Sequence, residues 1–272
     1  MNYETLNETE WEAVERVWDL LDEGEVEKAR RTLAALTAAR PGHPDVRIVD
    51  AAVALEEGEA KRALETLRGA ERSADPALYF HLRALAQYEL SRFEASRADT
   101  ERAIAIHQGL AEAHDLLSRI AAHLGDADAA RDHAEAAREI DPDGFSSPLE
   151  VSDEDFDAIV EATLLEMPEK VKREIDELPV LVQPLPSREM LEGEDPPVSP
   201  DVLGLFVGRP RMDRSVGDLP GAPGAIYIFR TNLLRSCEDL DELKREVRIT
   251  VQHEVGHLLG LDEDDLEEWG LA

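Results

Sequence analysis

A period of 34 residues runs through the first half of the chain. Gly24 and Gly58 are 34 apart, as are Leu21 and Leu55, Ala29 and Ala63, and Leu33 and Leu67; Ala103 and Ala137 repeat the offset. Recurrence at this length marks one small structural unit that cannot bury its apolar face alone and must stack on copies of itself. The clearest unit runs from Ala111 to Pro142 and carries Leu117, Gly125-Asp126, Ala130, Ala137 and Asp141-Pro142. Its small residues let two helices approach closely, and Pro142 cannot continue a helix.

These positions are where a tetratricopeptide repeat places its turn, small packing residues and closing proline, so residues 8–142 resemble an array of about four such repeats. The pattern predicts helix pairs near 9–22 and 25–39, 45–57 and 60–72, 77–90 and 93–107, and 111–124 and 127–139. Gly58 supplies the turn in the second pair, and Ser91-Arg92 replaces the glycine in the third. The expected form is a curved solenoid whose groove takes a peptide or protein partner; a dimerisation or packing module is the plainer alternative. Trp11 and Trp18, seven apart on one helix face, are expected in the core or as caps, with an exposed aromatic pair as the other reading. Asp143-Gly144-Phe145-Ser146-Ser147-Pro148 reads as a boundary between a repeat domain over 1–145 and a second domain over 150–272. The fold class expected is α+β overall, an all-α solenoid followed by a small α+β domain.

The second domain contains His253-Glu254-Val255-Gly256-His257-Leu258-Leu259-Gly260. Histidines four apart lie one turn apart on one helix face and can share a zinc ion. The intervening glutamate is placed to act on a water as general base. Zinc commonly takes a third protein ligand and leaves a fourth position open. Gly260 can end the helix in a left-handed turn, and Glu263, six residues after His257, is the candidate third ligand. Asp262 and Asp264 compete with it, and a solvated acidic tail is the bland alternative. Upstream, Asp239 and Asp241 are candidate N-caps, with Glu242 in the first turn. Leu243, Val247, Val251 and Val255 recur at fourfold spacing, extended by Leu240 and Leu258, and predict an amphipathic helix of about five turns. The histidines beside this stripe are expected to be half-buried.

From about Ser152 to Leu266 the chain resembles a family of small bacterial zincin-like metallopeptidases. The resemblance rests on Phe156-Asp157-Ala158-Ile159-Val160, the strand after Glu177-Leu178-Pro179, Leu203-Gly204-Leu205-Phe206-Val207-Gly208, Arg214-Ser215, Ile226-Tyr227-Ile228-Phe229-Arg230, and the helix ending in the histidine motif. It implies a minimal zincin: a few twisted strands beside the metal helix, and one backing helix. Two positions depart from the family pattern. Leu258 stands where histidine is usual, and Glu263 where aspartate is frequent. The fold and the activity are separate inferences, because function belongs to the site.

Strands are predicted at 179–183, 203–207 and 225–230. The proline- and acid-rich stretch from Pro184 to Pro200 reads as a loop, either a surface insertion or an overhang of the cleft, and Gly217 to Gly224 as a second loop. Zincins bind substrate backbone along an edge strand; Ile226-Tyr227-Ile228-Phe229-Arg230 is the candidate, with Tyr227 as a candidate for substrate or oxyanion contact and strand packing as its plainer reading. Arg214 and Arg230 are expected in structural ion pairs. Ser152 with Asp155 resembles a capping box.

A formal net charge of −32 excludes a nucleic-acid or anionic-membrane binder, because like charge repels. Cys237 is the sole cysteine, so no disulfide framework exists. With no basic, apolar leader pattern and no apolar run near 18 residues, the cytoplasm is the expected location. The expected function is a zinc-dependent metallopeptidase using His253, His257 and Glu263 for Zn2+ and Glu254 as base, with the repeats recruiting a protein substrate or regulator. The alternatives are a catalytically silent zinc-binding scaffold and a peptidase held latent by its 184–200 loop.

Overall fold

Four tight turns set the geometry of the first half of the chain. In the computed structural model, which describes residues 5–71, 75–175, 178–193, 197–208 and 224–259, Gly24, Gly58, Ser91 and Gly125 all adopt left-handed backbone, with φ of 73°, 72°, 56° and 78°. Each follows the first helix of a pair. At each, the residue's own N–H and the next one close the preceding helix by donating to its last turn: Gly24 to Leu21 and Glu25 to Leu20, Gly58 to Leu55 and Glu59 to Ala54, Ser91 to Tyr88 and Arg92 to Gln87, Gly125 to Ala122 and Asp126 to Ala121. This is the Schellman arrangement, which satisfies carbonyls that a helix end leaves orphaned. Ser91 takes the same conformation as the glycines, so the third turn keeps the geometry without the residue that suits it.

The pairs joined by these turns are α1 (Glu8–Asp22) with α2 (Val26–Ala39), α3 (Pro44–Glu56) with α4 (Ala60–Leu67), α5 (Pro76–Glu89) with α6 (Phe93–Ile106), and α7 (Ala111–His123) with α8 (Ala127–Ile140). Helix α4 stops at Leu67 and not near residue 72, because Gly69 turns the chain at φ 90°. Each helix packs on the next, and the first helix of each pair also packs on the first helix of the following pair. That nearest-neighbour pattern defines a repeat array. Trp18 packs against the cores of both the first and second pairs, whereas Trp11 is 38% exposed. Arg83 makes a bidentate pair with the buried Asp99 at 2.6 and 2.5 Å, locking α5 to α6.

The chain divides into two units, Met1–Ser146 and Ser147–Ala272. In the second, Ser152 caps α9 (Asp153–Glu166) by accepting the Asp155 N–H at 3.1 Å, while its hydroxyl donates to the Asp155 carboxylate at 2.8 Å. Helix α10 (Glu169–Ile175) leads to a three-stranded sheet of β1 (Val180–Gln183), β2 (Gly204–Val207) and β3 (Ala225–Phe229), in the order β1-β3-β2. β1 runs parallel to β3 and β2 antiparallel to it, with Leu181 and Leu205 flanking Tyr227. Strand β3 is therefore central, which corrects its reading as the substrate-binding edge. Its near-continuous apolar run, with four of its five residues buried, is that of a strand covered on both faces. The edge strand that packs on the helix carrying the histidine motif is β2.

The stretch from 184 to 200 is not an unstructured insertion in its described part. Ser187 caps the short helix α11 (Arg188–Leu191), Leu191 is fully buried, and the Val198 N–H donates back to the Leu191 carbonyl. The Asn232 side chain, on α12 (Arg230–Ser236), donates to the carbonyls of Pro200 and Val202 at 2.9 and 2.8 Å and pins the segment's end. No described helix is long and apolar enough to cross a membrane.

Candidate metal and peptidase site

Helix α13 (Leu240–Leu259) carries the histidine motif. Asp239 begins it, its Oδ1 accepting the N–H groups of Asp241 and Glu242 at 2.9 and 2.8 Å, and acidic residues in the first turn favour the helix dipole. Leu243, Val247, Val251 and Val255 are fully buried against α9 and the sheet. This stripe fixes the rotation of the helix. Residues two positions away lie about 200° round the axis, so His253 and His257 face away from the core and are exposed. The expectation of half-buried histidines is thereby corrected. Glu254, about 100° from Val255, turns toward β2 and is 6% exposed.

The two imidazoles converge. Their Nε2 atoms lie 3.0 Å apart, with ring centroids at 4.6 Å and planes at 87°. Two nitrogens on a tetrahedral zinc at 2.0–2.1 Å would be separated by about 3.3 Å. Among the described residues, His253, Glu254 and His257 bring one candidate ligand atom each within 4.8 Å of one another, and this donor set fits zinc. Glu263, Asp262 and Asp264 lie outside the described residues.

Glu254 is held by the sheet. Its Oε2 accepts the main-chain N–H of Phe206 at 2.6 Å. Burial pushes its carboxyl above the ordinary carboxylate range, and outweighs the Phe206 N–H and the His253 ring, which act the other way. Gly204 makes the approach feasible. A Cβ there would lie 2.4 Å from Thr250 Cγ2, 3.0 Å from the Tyr227 carbonyl oxygen and 3.4 Å from Glu254 Cγ. Only a residue without a side chain lets β2 lie this close to α13. Sequence reasoning missed the roles of Gly204 and Phe206, although a glycine inside a strand pattern signals close backbone approach.

The site opens into a cleft of about 620 Å³ between β2 and α13, lined by Val198, Val202, Leu205, Phe206, Glu246, Ile249 and Thr250 beside the histidines and Glu254. Val198 brings the 184–200 segment to the cleft wall. Tyr227 is not among the lining residues; it sits in the central strand. Arg230 pairs with Asp153 at 2.6 Å and is structural. Arg214 lies outside the described residues. Cys237 is buried, and desolvation raises its thiol pKa, so it is not poised as a nucleophile.

Residues 175–271 match the family model described as zincin-like metallopeptidase, so the C-terminal unit contains a zincin-like domain. The match begins after α9, later than the resemblance read from residue 152. No curated protein matches the chain. Among solved structures, MamA 41-end from Desulfovibrio magneticus RS-1 is similar at 20% identity and a TM-score of 0.41, covering 50% of this chain and 78% of that one. PilW, described as a widely conserved type IV pilus biogenesis factor, is similar at 9% identity and a TM-score of 0.35, covering 58% and 84%.

Proposed function

We propose that the second unit is a zinc-dependent peptidase and that the repeat array recruits its protein substrate or a regulator. His253 and His257 hold the ion through Nε2, Glu263 is the third ligand, and Glu254 is the general base. The observation that carries this reading is the convergence of the two Nε2 atoms at 3.0 Å with a buried carboxylate beside them. Zinc, when bound, supplies a Lewis acid and lowers the pKa of a water. Glu254 takes the proton of the attacking water as the C–O bond forms, and then returns it to the leaving amine nitrogen as the peptide C–N bond breaks. Phe206 fixes one carboxylate oxygen through its N–H, which leaves the other to face the substrate. Burial favours the protonated form of Glu254 and so equips it for the second of these transfers.

A zinc-binding module without hydrolysis is the second reading. The cleft favours it in one respect: Tyr227 is absent from the lining, and no lysine or arginine lines it among the described residues, so an oxyanion has no charged donor there. The test is zinc content together with cleavage of a denatured protein mixture by wild type and Glu254→Gln. The peptidase reading expects cleavage by wild type alone. Equal cleavage by both forms would sink the mechanism, and zinc without cleavage would leave the silent module.

A further inference from the structure

The lining of the cleft names a class of substrate. The face that α13 turns to it runs from Glu246 through Ile249, Thr250, His253 and Glu254 to His257. The eleven helical steps from Glu246 to His257 span about 16 Å, the length of roughly five residues of extended peptide. Ile249 stands one turn before His253, and Glu246 two turns before it, about 6 and 10 Å along the axis. Ile249 is 48% exposed, a large apolar side chain left to solvent, and Val198 and Val202 complete an apolar wall. No described cation pairs with Glu246, and no lysine or arginine lines the cleft among the described residues. The whole chain carries a formal charge of −32, which repels acidic ligands and draws basic ones toward this cleft.

We propose that the cleft selects an extended peptide with an apolar residue next to the carbonyl held at the histidines and a lysine or arginine two positions further along, so that both side chains face α13. Ile249 and the two valines receive the apolar side chain, and Glu246 pairs with the cation. The inference rests on the peptidase reading for hydrolysis, but its selectivity is a property of binding and is measured separately.

The experiment gives the zinc-loaded full chain a proteome-derived peptide mixture, and the cut sites are sequenced. Wild type is expected to cut where an apolar residue and a Lys or Arg occupy these places. Glu246→Arg should lower cleavage of such peptides about five-fold or more and favour acidic ones; Glu246→Gln should lose the preference without reversing it. Higher salt should weaken the wild-type preference. In parallel, Glu254→Gln is titrated with a fluorescent apolar-basic peptide and its apolar-acidic counterpart, with and without Glu246→Arg. If wild type cuts nothing but Glu254→Gln binds the basic peptide in a Glu246-dependent way, the peptidase reading fails and the selectivity stands. If peptides are cut with the same profile by wild type, Glu246→Arg and Glu246→Gln, the selectivity is overturned and the peptidase reading stands. Neither cleavage nor binding of any peptide would overturn both.

Discussion

Phe206 and Glu254 stand 48 residues apart in sequence and are joined by one hydrogen bond, the strand's N–H donating to the carboxylate at 2.6 Å. This bond ties the edge strand to the metal helix at the residue assigned to proton transfer. It fixes the carboxylate that we propose as the base beside the two histidines.

Glu254→Gln keeps an oxygen for the Phe206 N–H and loses the proton-transfer group. Hydrolysis should fall by about 10² to 10⁴-fold while zinc binding is retained. Stability should move the other way. The folded carboxyl has a raised pKa, so its contribution is complete below its ordinary value and falls as pH rises through the folded one. In the metal-free protein the glutamine variant should therefore be the more stable at about pH 7, and the gap should close at about pH 4, as read by thermal melts.

Gly204→Ala tests the close approach of β2 and α13. The added methyl would overlap Thr250 Cγ2 at 2.4 Å, and overpacking of this kind costs about 1–3 kcal/mol. Thr250→Ser removes Cγ2 and should recover part of that loss in the double variant. Strictly additive losses in a double-mutant cycle would contradict the contact.

Ser91→Gly should stabilise the repeat unit. Ser91 holds φ at 56°, and its buried hydroxyl has no hydrogen-bond partner among the described residues. Left-handed backbone costs a residue with a side chain about 1 kcal/mol, and glycine removes that cost. Denaturant unfolding should show a gain of about 1 kcal/mol; a loss would mean that the serine side chain contributes to packing.

His81, on α5, should make the repeat unit acid-labile. Desolvation pushes its imidazole down to about 4 from an ordinary 6.5, and its Nδ1 is buried without a partner among the described residues. With the folded pKa depressed, the stability is present above the unfolded value and is lost as pH falls from about 6.5 through 4, by about 3 kcal/mol. His81→Leu should flatten that part of the pH profile, measured by urea unfolding.

The repeat turns were legible because left-handed backbone falls to a short list of residues, and even Ser91 was marked by its place between Gly58 and Gly125. The helix that carries the histidine motif was legible because Leu243, Val247, Val251 and Val255 form one stripe. Strand order was not, since pairing is a long-range choice: the run Ala225–Phe229 shows a strand but not its neighbours, although its unbroken apolar character could have marked it as central. The exposure of the histidines follows from their angle to the stripe and was available in principle. The place of Glu246 on the cleft wall was hidden, because an acidic residue on a helix reads as a solvated face until the opposing strand is known.

The most direct measurement is zinc stoichiometry of the full chain at neutral pH. One zinc per chain is expected for wild type and for Glu254→Gln, with binding lost in His253→Ala and His257→Ala while the helical content is unchanged. Full zinc occupancy in the variant lacking both histidines would contradict the account.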